Sequence, residues 1–175
     1  GFFSASGAIS MAVVGTFSGQ LSDRYGPIKF AAAGLLIMAI GIFLLSTLTM
    51  NSSWVLPITG VIVTSFGMGT FYGPNNKAIL STIPQDFRGV VSGFIHLVRN
   101  SASVTSIAVG ILIVTTFMAS MGFAPTLSDL SSETEYSVLQ SFVKGMRFGL
   151  ICFGFVLLAG FATSLSGGKF KETEG

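Results

Sequence analysis

The sequence predicts an all-α fold, a polytopic bundle of about five membrane-spanning helices, and three observations carry that expectation. Half of the 175 residues are apolar and only 9% are charged, with a mean hydropathy of +0.78. A soluble domain carries about a quarter charged residues. The shortage is organised, because no Asp, Glu, Lys or Arg occurs between Lys29 and Lys77 or between Arg99 and Asp129. Runs of that length are spans, since about 20 apolar residues cross a hydrocarbon core of roughly 30 Å. The alternating segments of a β-barrel are absent. Only helices and closed barrels satisfy their backbone within lipid, so the spans are helices.

The first span is expected over residues 1–22, stopped by the charges and the Gly-Pro pair of Asp23-Arg24-Tyr25-Gly26-Pro27. The second is placed at 30–50, and Asn51-Ser52-Ser53 turns into the third at 54–75, with Trp54 suited to an interfacial aromatic belt. After a polar connection from Lys77 to Arg88 containing Pro84, the fourth runs over 89–121, longer than one crossing needs. Residues 122–144 read as a loop with Pro125, Asp129, Glu133 and Glu135, and the last span covers 145–166.

Assigning alternate loops to alternate sides puts Arg24, Lys29, Lys77, Arg88, Lys169 and Lys171 on one side and Lys144 and Arg147 on the other. Loops rich in Lys and Arg stay cytoplasmic, so the C-terminus is expected inside a cytoplasmic membrane and the N-terminus outside. The chain opens within an apolar segment at Gly1, without a basic n-region or a small-residue cleavage site, which is not a signal peptide and suits a fragment of a longer protein. Cys152 stands alone in an apolar run, so no disulfide or Cys-based metal site can be built, and no basic tract points to nucleic acid. No cofactor or metal is implied.

Glycine pairs at helical spacing, Gly15 and Gly19, Gly69 and Gly73, Gly145 and Gly149, make small-xxx-small faces. They suit close packing, or sliding and bending during a conformational cycle.

The run Gly19-Gln20-Leu21-Ser22-Asp23-Arg24-Tyr25-Gly26-Pro27-Ile28-Lys29 resembles the signature loop of the major facilitator superfamily, agreeing at Gly19, Leu21, Ser22, Asp23, Arg24 and Gly26. Pro27 and Ile28 depart from the basic residues common there. A second stretch is similar to the late region of the 14-span drug:proton antiporters. It comprises Gly67-Met68-Gly69, Gly73-Pro74-Asn75, Pro84-Gln85-Asp86-Phe87-Arg88-Gly89, Ser92-Gly93 and Arg99. The resemblance implies the last five spans of such a carrier, with the N-terminal half and the first helix of the C-terminal half missing, and the signature loop as its second copy. It also implies that the loop, through Gly19, Leu21, Asp23, Arg24 and Gly26, acts as a cytoplasmic gate. Its Asp faces a helix N-terminus and its Arg a carboxylate, and both contacts break as the halves rock apart.

Four further residues are candidates for the cavity or for coupling. Asn75 and Asn76 follow Gly73-Pro74, expected to interrupt the third span and expose backbone groups to a cavity, or simply to end the helix. His96 and Arg99 lie three residues apart on one face of the fourth span. Ionisable residues at membrane depth are functional candidates, and histidine as a residue type exchanges a proton near neutral pH. The plain alternatives are a packed histidine and a snorkelling arginine. No carboxylate lies inside the five spans, and the 17 Phe residues suit either a drug cavity or a lipid-facing surface.

The expected function is secondary active efflux of small molecules or drugs by alternating access, driven by a proton gradient. The alternative is a non-transporting membrane adaptor or sensor derived from such a carrier. No Gly-x4-Gly-Lys-Ser/Thr loop supports primary pumping, and with one His there is no enzymatic constellation, so no enzyme is expected. The expected partners are the bilayer, the missing transporter half and a small-molecule substrate.

Overall fold

A computed structural model of the chain describes residues 11, 13–15, 17, 18, 22, 26–122 and 132–172. Four helices and one 3-10 turn follow in order: α1 (Pro27–Ser46), α2 (Val55–Ser81), the 3-10 turn Gln85–Phe87, α3 (Arg88–Ser120) and α4 (Ser132–Glu172). Met11, 13–15, Phe17, Ser18 and Ser22 are also helical, and no strand occurs among the described residues. The all-α bundle expected from composition is therefore the fold. Within these helices, four segments have the length and apolarity to cross a bilayer: Pro27–Ser46, Val55–Ser81, Gln85–Ser120 and Tyr136–Leu165.

Several boundaries differ from the expected ones, each for a local reason. α1 starts at Pro27, whose missing N–H costs nothing in the first turn. It stops at Ser46, four residues before the expected 50, where Ser46 and Thr47 turn their hydroxyls onto the carbonyls of Phe43 and Leu44, both at 2.7 Å. α2 continues through Gly73-Pro74 to Ser81 instead of ending near 75. Pro74 withholds one N–H from the carbonyl four residues back, a loss that membrane helices tolerate, and it is fully buried. α4 starts at Ser132, so half of the expected loop 122–144 is helix, and it runs past 166 to Glu172. α3 agrees with its expected span to within a residue.

α1 lies at the centre, packed against α2 on one side and α4 on the other, while α3 leans on α4 and meets α2 at few positions. The α1–α2 contact is made by missing side chains. A Cβ on Gly34 would stand 2.7 Å from the Phe71 amide nitrogen and 2.9 Å from the Gly67 carbonyl oxygen, and one on Gly67 would stand 2.6 Å from the Met38 nitrogen. Backbones this close exchange dispersion contacts along the whole crossing, the main attraction between helices where lipid removes the hydrophobic drive. α4 meets α1 through Gly154, which admits the Phe43 ring, and through Phe43 and Phe155, edge to face at 5.7 Å. Gly145 lets α4 approach Val114 of α3, and Phe117 stacks on Phe148 at 5.9 Å. The expected pairs Gly69/Gly73 and Gly145/Gly149 thus sit in contacts, although the tightest crossing uses Gly34, Gly41 and Gly67.

Candidate functional site

The polar residues of the spans converge where α2 ends and α3 begins. α2 carries Tyr72 and Asn76 one turn apart on one face, which follows from the 3.6-residue period. Arg99 of α3 reaches across to both. Its Nη2 donates to Asn76 Oδ1 at 3.3 Å, and its Cζ stands 4.1 Å from the centre of the Tyr72 ring. The ring's negative face attracts the cation, and more strongly where water is partly excluded. Arg99, Tyr72 and Asn76 are all half-buried. Tyr72 in turn contacts Phe71, ring centres 5.8 Å apart, and Phe71 sits on the Gly34 crossing, so the cluster is fixed to the most closely packed part of the bundle.

Arg99 is eleven residues from Arg88, about 16 Å along the helix, and twenty-one residues from Ser120, about 32 Å. A core of roughly 30 Å spanned up to Ser120 therefore places Arg99 at its margin, on the side where α3 starts, and not at the midplane. The desolvation cost is correspondingly below the 2.5 kcal/mol or so assigned to a charge at a helix centre.

His96 does not join this cluster. It is exposed, one turn nearer the start of α3. It does share a face with Arg99: at 100° per residue, Ser92, His96, Arg99, Ser103 and Ser106 fall within an arc of roughly 80°. His96, Ser103 and Ser106 are exposed, whereas the Ser106 hydroxyl is satisfied within the helix by the Ser103 carbonyl at 2.8 Å. Asn75 is half-buried and makes no side-chain hydrogen bond among the described residues. The interruption expected at Gly73-Pro74 is absent, so Asn75 and Asn76 stand on continuous helix.

Of the signature-loop residues, Gly19, Leu21, Asp23 and Arg24 lie outside the described residues. Gly26 explains its own identity: φ is +90°, and its N–H donates to the Ser22 carbonyl at 2.9 Å just before α1 begins. One turn earlier, buried Ser18 donates to the Gly69 carbonyl of α2 at 2.9 Å. A Cβ on Gly69 would come within 2.9 Å of the Met11 carbonyl oxygen, so the helix before the loop lies directly against α2. Two contacts escaped the sequence reading. In the sequence Tyr72 stands uncharged within an apolar run, and Arg147 is marked only by its charge. Arg147 donates through Nε to the Ser46 carbonyl at 2.7 Å, closing the end of α1 from α4. Both contacts depend on helices distant in sequence.

Residues 1–107, more than half of the chain, match the family described as the Major Facilitator Superfamily. The chain belongs to the Major Facilitator Superfamily. Two curated relatives are similar to it. One is the riboflavin transporter RibZ of Clostridioides difficile strain 630, 28% identical over 109 residues, 62% of this chain and 23% of that protein. The other is the uncharacterized transporter YebQ of Escherichia coli K12, 28% identical over 135 residues, 77% of this chain and 29% of that protein. The chain thus spans between a fifth and a third of the length of these relatives. No solved structure matches it significantly. Family membership and the four long apolar helical segments make it part of an integral membrane protein.

Proposed function

We propose that this chain forms part of a secondary transporter that exports small molecules by alternating access, with a proton gradient as the drive, as its likeness to the 14-span drug:proton antiporters implies. The observation that carries this reading is the Arg99 cluster. A guanidinium held by an aromatic face and an amide, with a polar helix face beside it, is the lining of a wet passage and not of a lipid-facing surface. The relative named as a riboflavin transporter supports a small-molecule cargo. The charge rule supports placement in the cytoplasmic membrane with the C-terminus inside.

In this reading the signature loop, Gly19, Leu21, Asp23, Arg24 and Gly26, gates the cytoplasmic side, while Asn76 and Arg99 line the passage and Asn75 and His96 flank it. The one carboxylate of the described crossing segments, Asp86, is exposed in the 3-10 turn at the start of Gln85–Ser120, so in this reading proton coupling falls to His96 or to an acid in another part of a longer protein.

The test is transport by a full-length protein carrying this chain, in everted vesicles, with Arg99 replaced. Arg99→Lys keeps the charge but loses the planar fork that holds Asn76 and Tyr72 together. It is expected to lower transport by about tenfold while membrane insertion stays normal, a loss of about 1.4 kcal/mol. Normal transport by both Arg99→Lys and Arg99→Ala would reduce Arg99 to a snorkelling side chain and remove the reading's main support.

A further inference from the structure

We infer that Arg99 is an anion-recognition point, selecting transported molecules that carry a carboxylate or a phosphate. The inference rests on the transporter reading above and adds the chemical class of the cargo. A guanidinium offers five N–H donors. One of them is used, by Asn76 Oδ1, and the Tyr72 ring attracts the charge without neutralising it. Among the described residues of the four crossing segments the one acid is Asp86, at the second position of Gln85–Ser120. In the sequence, all seven acidic residues lie outside the expected spans. The acid nearest to Arg99 in sequence, Asp86, is exposed in the 3-10 turn, thirteen residues away or about 20 Å along the chain direction of α3. Among the described residues no carboxylate pairs with the Arg99 guanidinium.

Its position makes the missing charge a matter of recognition. The guanidinium is fixed by α2 and does not stretch along α3 toward the helix end, so its remaining donors are presented at the margin of the core, beside the exposed His96 and Ser103. A carboxylate or phosphate there receives two parallel N–H donors in a partly dry setting, where a charge-assisted pair is stronger than in water. A cationic molecule meets repulsion instead, since the one acid of the described crossing segments, Asp86, stands thirteen residues away at the start of its segment.

The experiment compares naphthoate with naphthamide, a pair sharing ring and size but not charge. Binding is measured to the full-length transporter in phosphatidylcholine vesicles, which supply no anionic headgroup of their own excess charge. Naphthoate is expected to bind at least about tenfold tighter, the scale of one charge-assisted pair. Arg99→Gln, which keeps donors and bulk, should bring the two within about twofold. Arg99→Lys should retain part of the preference, which guards against a variant that merely misfolds. Equal binding of the pair by the unmodified protein overturns the inference, as does a preference that survives Arg99→Gln. Loss of the preference on adding phosphatidylglycerol also overturns it, since the guanidinium then serves a lipid headgroup. Equal binding combined with Arg99-dependent transport would fell the anion site alone. Arg99-dependent naphthoate binding by a protein that moves nothing across the vesicle wall would fell the transporter reading instead.

Discussion

At the scale of single residues, the chain spends unusual chemistry at a few points and is otherwise apolar. Gly26 is one: at φ +90° it turns the backbone from the first helical segment into Pro27. A side chain there would be strained by about 1–3 kcal/mol, so Gly26→Ala should lower the detergent melting temperature of the full-length protein measurably. An unchanged melting temperature would mean that the turn relaxes at no cost. Asp23 is argued from the signature loop alone: Asp23→Asn should leave expression intact and strongly lower transport, because the change acts on switching between states. Unaltered transport would count against the gate. The residue scale was also where the sequence was least legible. Arg99 could be singled out as an ion in an apolar run, but its partners Tyr72 and Asn76 lie on another helix, and no periodicity announces which faces meet. Gly26 stood out only through the loop pattern, whereas its backbone angle gives the reason.

Among the elements, α1 and α2 behave as one unit and α3 as a more separate one. The α1–α2 crossing is so close at Gly34 and Gly67 that added methyl groups meet backbone, which cannot give way as a flexible side chain can. Gly34→Leu and Gly67→Leu are therefore expected to cost at least about 1–3 kcal/mol and to reduce the yield of folded protein on size-exclusion chromatography. Gly89→Leu, with open space around its Cβ position, is the control that should fold normally. Helix existence was plain in the sequence because apolar runs without charge have no other stable form in lipid. Boundaries were not plain. Gly73-Pro74 reads as a stop in water, yet α2 passes through it because the proline is buried against neighbouring helix. Likewise Pro125 and three acids suggested a loop up to Lys144, while α4 begins at Ser132 and keeps its acids beyond the crossing segment.

For the molecule as a whole, α3 is the element on which the functional account depends, since most of its surface is left uncovered by the other described helices. The proposed orientation rests on the six basic residues that the sequence reading groups on one side. In the full-length protein, a cysteine at Thr82 should resist impermeant reagent in intact cells and one at Ser131 should react; labelling at Thr82 would invert the topology. The family and the helical, membrane-crossing character were legible in the signature loop and in composition, because both depend on local sequence. The proposed cargo class was not, because it depends on which charges remain unmatched after the helices assemble. The claim that a wet passage runs along one face of α3 is tested most directly by thiol accessibility in a Cys152→Ser background of the full-length transporter. Single cysteines at Ser92, His96 and Ser103 should react with a water-soluble maleimide, and the cargo should slow that reaction. Cysteines at Leu97 and Val104, on the opposite face, should stay protected by lipid or neighbouring helices. Protection of all five positions, or reaction at Leu97 and Val104 in preference to His96 and Ser103, would contradict the account.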